Sequence, residues 1–252
     1  MTYVAQAHVA FGDMWTAASE NQSLDNDAYL KTQADLQTFD GWFGADTWVY
    51  VGATSFKITG VNVTAKYAKG TELKCTDGGS TKYFYVIGSS FSTDTTVTIF
   101  GGSDYSLSGG SITNPYLSYS ENPQGFPDWF NFTPSYGGGG MTYGTVTTQF
   151  ARFRITRHTC TVQVVTTAGT IGGTPIVPLQ VATTGTGKPP QPAYGVIYSG
   201  PVVGCRVYNN AAYALGVCQV DNANSTLWVE LATNAAWTAG TAFFSGTWIY
   251  EF

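Results

Sequence analysis

From about Thr47 onward, apolar and polar residues alternate with a period of two. The runs Thr47–Val51, Phe56–Thr59, Glu72–Thr76, Lys82–Ile87 and Thr95–Phe100 predict five short strands. Turn chemistry punctuates them at Asp77-Gly78-Gly79-Ser80, Ser89-Ser90 and Gly101-Gly102-Ser103-Asp104. Strands this short and closely spaced predict a small barrel-like β-domain over residues 46–120. Beyond residue 140 the pattern returns. Strands are predicted at Gln149–Ile155, Thr159–Thr166, Ile176–Val181, Gly195–Ser199, Val202–Tyr208, Leu215–Val220, Leu227–Glu230 and Thr247–Phe252. Their number and spacing suit a C-terminal β-sandwich of jelly-roll type over residues 141–252.

Two stretches break the period. Residues 1–45 carry an amphipathic pattern rather than an alternating one. Ser23 is placed to cap a helix from about Leu24 to Phe39, with Asp25 and Asp27 in its first turn and Gly41 as its stop. Residues 121–140 contain Pro123, Pro127, Pro134 and Gly137–Gly140, interleaved with Phe126, Trp129 and Phe130. Proline and glycine mark a boundary, while the aromatics predict an ordered connector packed on a neighbour. The chain therefore reads as mainly β: a short N-terminal helical or arm segment, a small β-domain, a connector and a sandwich.

Composition sharpens this picture. Charged residues make up only 11% of the 252-residue chain, aromatics 15%, and threonine occurs 36 times, a mixture that favours strands and tight turns. The net charge of −5 is uneven: residues 1–45 carry −5, residues 46–140 carry −2 and residues 141–252 carry +2. The acidic first segment is the expected docking or anchoring end. Eleven basic residues in an acidic chain leave no electrostatic footprint for nucleic acid. No apolar run reaches the length of a membrane span, so no membrane insertion is expected. The opening Met1-Thr2-Tyr3-Val4 lacks the basic and apolar regions of a secretion signal.

Candidate chemistry is sparse. His158 lies in an apparent hairpin turn, and with His8 it completes the histidines. Both a serine triad and a histidine metal site are therefore disfavoured. Asp77, Asp94, Asp104 and Asp221 fall mostly in turns, a poor basis for a glycosidase pair. Gly137–Gly140 is followed by no Lys-Ser/Thr and is not a phosphate loop. No cysteine pair has CxxC spacing. A hairpin turning between Ala211 and Ala212 would set Cys205 opposite Cys218, either as a cross-strand disulfide or as packed thiols. Arg152, Arg154 and Arg157 alternate in part along one strand and are the candidate partner contact. No catalytic, cofactor-binding or metal-binding residue is predicted, and the chain is read as a non-enzyme.

Two long stretches carry a resemblance. The first runs from Trp48-Val49-Tyr50 through Phe56-Lys57-Ile58-Thr59-Gly60, Val63–Lys74 and Lys82-Tyr83-Phe84-Tyr85-Val86-Ile87. It ends at Thr95–Ile99 and Gly102-Ser103-Asp104-Tyr105-Ser106-Leu107. The second is Gly125-Phe126-Pro127-Asp128-Trp129-Phe130-Asn131, followed by Gln149–Phe153 and Thr159-Cys160-Thr161-Val162. Over roughly residues 46–185 the chain resembles virion structural proteins of tailed bacteriophages. It departs from them at Asn62, where Asp is common, and in the segment after Cys160, where Lys188-Pro189-Pro190-Gln191-Pro192 has no counterpart. The resemblance implies a tail, fibre or head-decoration component, assembled in the host cytoplasm and residing in the virion. Such a protein acts by binding other virion proteins. It is expected to be a homo-oligomer, with a trimer favoured. A glycan-binding receptor-recognition role and a capsid decoration role are the alternatives, and a depolymerase is the enzymatic rival.

Overall fold

The computed structural model describes residues 25–28, 41–134, 136, 147–171, 176–180, 203–221, 226–238 and 240–252. The chain is mainly β, in two antiparallel sheets. Residues 25–28 are helical, inside the helix expected from Leu24 to Phe39. The rest of that helix, His8, Gly137–Gly140 and the strand expected at Gly195–Ser199 lie outside the described residues.

The first sheet contains β1 (Phe43–Gly44), β2 (Val49–Gly52), β3 (Ser55–Ile58), β4 (Glu72–Asp77), β5 (Ser80–Phe91), β6 (Thr95–Phe100) and β7 (Thr113–Ser118). Their order is β1-β7-β4-β5-β6-β3-β2. The β4–β5 hairpin turns on Gly78-Gly79, both at positive φ, the geometry that matches strand twist in a two-residue loop. Alternation then sorts the side chains. Phe56, Leu73, Cys75, Phe84, Val86, Val97, Ile99 and Leu117 fill one core. Trp48 stacks on Phe56 at 4.1 Å and donates its indole N–H to the Tyr67 hydroxyl, which donates in turn to Asp46.

Three expectations change here. The unit starts at about Gly41 rather than residue 46, because Phe43–Gly44 pairs with β7 and Trp42 is fully buried. Ser89-Ser90 is not a turn. A bulge between Val86 and Gly88 lets β5 continue to Phe91, and the reversal comes at residues 92–94. The strand β7, which holds Pro115, was not among the expected strands. The proline fits because β7 carries a bulge: Asn114, at φ 49°, and Pro115 stand opposite Cys75 alone, where the ladder needs no N–H.

The second sheet contains β8 (Phe130–Asn131), β9 (Thr147–Thr156), β10 (Thr159–Ala168), β12 (Ile176–Gln180), β13 (Val203–Asn209), β14 (Ala212–Asp221), β15 (Thr226–Leu231) and β16 (Gly240–Glu251), with the short β11 (Thr170–Ile171) on β16. The order is β12-β15-β14-β13-β16-β10-β9-β8. The sheet curls strongly: Trp248 on β16 donates to the carbonyl of Trp228 on β15, two strands beyond its neighbour β13. Phe153, Val162, Val164, Val207, Val220, Val229, Phe244 and Trp248 line the enclosed core.

Residues 121–134 of the connector pack between the sheets. Its Phe130 enters the second sheet as β8, and Trp42 donates to the carbonyl of Gln124. Tyr85 of β5 meets Phe126 at 5.0 Å and Phe130 at 5.1 Å, while Phe100 of β6 meets Phe153 at 4.7 Å. Tyr85 and Phe100 thereby belong to the core of the second unit. Their rings bury large apolar areas in offset and edge-on contacts.

The cysteine register is also corrected. The β13–β14 hairpin turns on Asn210-Ala211, with Asn210 at φ 52°, a conformation asparagine tolerates. Cys205 then faces Gly216, and Cys218 faces Val203. The two are diagonal neighbours on the core face, and both are free thiols. Their sulfurs are hydrogen-bonded, which holds Cys205 below the ordinary thiol range and pushes Cys218 above it.

Candidate functional site

The three arginines separate into two groups. Ala151, Phe153 and Ile155 point into the core, so Arg152 and Arg154 share the outer face of β9. Both guanidiniums lie over the indole of Trp129, at 4.5 and 5.1 Å from its centroid. Arg152 also covers Phe150 and donates two hydrogen bonds to Oε1 of Gln163, its partner across the ladder on β10. The arrangement is a positively charged ridge stiffened by stacking. Trp129 was the missing member. It lies more than twenty residues upstream, and only the pairing of β8 with β9 brings it to the arginines.

Arg157 is elsewhere. It occupies the two-residue β9–β10 turn at φ 56°, an uncommon conformation for its residue type. Its side chain is 80% exposed and pairs with Glu121 at 3.2 Å. Its carbonyl packs on Gly70 of the first unit. His158, next in the turn, is exposed, as expected of a turn histidine.

This turn closes one side of a cleft between the two units, with a volume of about 340 Å³. Ala65, Ala68 and Tyr119 line it from the first unit, together with Glu72. Glu72 is only 5% exposed, and its Oε2 has no hydrogen-bond partner among the described residues. Burial, then the nearby charge of Glu121, push its carboxyl up to about 8. The neighbouring cations have other partners. Lys69 lies over Phe252, Lys74 sits between the rings of Trp42 and Tyr116, and Arg157 faces Glu121.

The aspartates of the turns are held by local partners. Asp94 accepts from Lys57 and from the Gly60 N–H, and Asp104 from the backbone and side chain of Asn131. Asp77 is fully buried and accepts from Lys82, from the Ser108 N–H and from the Ser108 hydroxyl.

The outer face of the second sheet carries a different cluster. Tyr208 and Phe243 stack at 4.6 Å with parallel rings, and Arg206 lies 4.1 Å over Tyr213. Tyr213 and Leu215 are 59% and 66% exposed. A pocket of about 440 Å³ adjoins them, lined by Gln149, Thr167, Arg206, Phe243 and Ser245.

No family model matches the chain, and neither a curated protein nor a solved structure matches it. The site must therefore be read from its own chemistry. Among the described residues, no group of three His, Cys, Asp or Glu side chains is placed to hold a metal ion. No helix among them is long and apolar enough to cross a membrane.

Proposed function

We propose that this chain is a structural component of a tailed-bacteriophage virion that works by protein–protein binding. The observation that carries this reading is the outer face of the second sheet. Tyr213 and Leu215 stand exposed there, near the stacked Tyr208 and Phe243, and Ile249 is exposed further along β16. Aromatic and aliphatic side chains with few charges are what the centre of a subunit interface requires. The fused two-sheet body beneath suits a protein that displays a surface without turnover. On this reading residues 1–40 dock the chain to the particle, and three copies assemble through the exposed face.

Light scattering tests the assembly. Three chains of 26.9 kDa give a mass of about 81 kDa. The double variant Tyr213→Ser/Leu215→Asp is expected to fall to the mass of one chain with its β-rich circular dichroism intact. A wild-type chain that stays monomeric at every concentration, alone and with particles lacking it, removes the reading. Deletion of residues 1–40 is expected to abolish incorporation into particles.

A second reading rests on the pocket beside Phe243. An aromatic ring next to amide, hydroxyl and guanidinium groups is a common arrangement for holding a sugar, so host-surface glycan is the alternative ligand. Binding on a glycan array that disappears in Phe243→Ala supports this reading, and a blank array counts against it.

A further inference from the structure

We propose that the cleft between the two units is a binding site for a primary ammonium group carried on an alkyl chain, with Glu72 as its anion. Two features converge on it. The first is the carboxyl of Glu72, which lines a cleft wide enough for a ligand and whose buried Oε2 has no hydrogen-bond partner among the described residues. A buried polar atom in that state carries a desolvation cost that a bound donor would relieve. The second is the wall chemistry. Ala65, Ala68 and Tyr119 line the same cleft and offer apolar surface matched to methylene groups. On the rim, Arg157 takes φ 56° as part of the two-residue β9–β10 turn and pairs with Glu121.

The competing ligand classes fit less well. Calcium and magnesium need six or more oxygens, and among the described residues the cleft presents two carboxylates, Glu72 and Glu121. A guanidinium asks for a carboxylate edge open to a bidentate fork, whereas one buried oxygen suits the point charge of an ammonium. The charged and titratable groups around Glu72 are Glu121, Lys69, Lys74, Arg157, His158, Tyr85 and Tyr119. The three cations among them, Lys69, Lys74 and Arg157, have the partners already described. With the carboxyl protonated up to about pH 8, binding must displace its proton. The dissociation constant should therefore rise about tenfold for each pH unit below that point.

The same chemistry is offered by a free alkyl diamine and by a lysine of a second copy. The probe is 1,5-diaminopentane, titrated calorimetrically into the full chain at pH 8.5, with 1,5-pentanediol as the uncharged match. One saturable site is expected for the diamine and none for the diol. Glu72→Gln should weaken binding at least tenfold. Ala68→Trp, an exposed rim substitution that leaves the carboxyl in place, should block the cleft and keep the proposal testable if the first variant folds poorly. Light scattering during the titration separates the sources. An unchanged mass points to free amines, and a falling mass points to displacement of a neighbour's lysine. Absence of saturable diamine binding, equal binding of the diol, or unchanged affinity in both variants overturns the proposal.

Discussion

The carbonyl oxygen of Arg157 occupies the space that a Cβ on Gly70 would need. This is a backbone-to-backbone approach between the two units, and Gly70 also has φ +83°. Gly70→Ala must therefore either strain its own backbone or push the β9–β10 turn away. We expect a loss of about 3 kcal/mol in urea unfolding. Gly88→Ala is the control, because an added Cβ there meets nothing within 4 Å. It should be close to neutral.

Glu72 sets a pH dependence of stability. Its carboxyl is raised in the fold from 4.5 to about 8, so the folded chain keeps a proton that the unfolded chain gives up. Stability is then full below about pH 4.5 and declines as pH climbs towards 8, by at most about 1.4 kcal/mol per unit. Urea midpoints at pH 5 and pH 8.5 should differ in the wild type. Glu72→Gln, which carries no titrating proton, should flatten that interval and exceed the wild type at pH 8.5.

Asp77 acts in the opposite sense. Burial pushes its carboxyl up, but Lys82 and the N–H and hydroxyl of Ser108 together hold it below the usual range. Its contribution is present above the unfolded value and disappears as pH falls through the folded one. Asp77→Ala leaves the half-buried Lys82 ammonium without its carboxylate and should cost about 3–4 kcal/mol. Chemical denaturation at pH 7 measures it directly.

Trp129 holds two guanidiniums at once. Trp129→Ala should destabilise the protein by about 1–2 kcal/mol and loosen Arg152 and Arg154 together. If stacking is the cause, the double variant Trp129→Ala/Arg154→Gln should lose less than the two single variants combined.

The four cysteines are all buried thiols. A thiol reagent should react with none of them quickly in the native state and with all four after unfolding, without prior reduction. A native diagonal bond between Cys205 and Cys218 would show as two missing thiols.

The strands were legible where local chemistry agreed with the packing. Gly78-Gly79 between two alternating runs announced the β4–β5 hairpin, and the parity of Arg152 and Arg154 announced their shared face. Legibility failed where a distant neighbour decides. Thr113–Ser118 is a strand because a bulge at Asn114-Pro115 relieves its ladder with β4, which no local pattern reveals. Glu72 next to Leu73 and before Lys74 reads as the wet side of a strand, and it is buried only because the second unit covers it. The β13–β14 turn moved by one residue because Asn210 rather than Ala211 leads it, and that single step separated Cys205 from Cys218.

The aromatic seam of Tyr85, Phe100, Phe126, Phe130 and Phe153 also constrains how this sequence can be inherited. A recombination crossover inside residues 121–134 would join rings from one parent to sockets from another, and each half would expose what the other had covered. Viable exchange must therefore carry both sheets across together, as a single cassette whose permissible joints lie outside the seam.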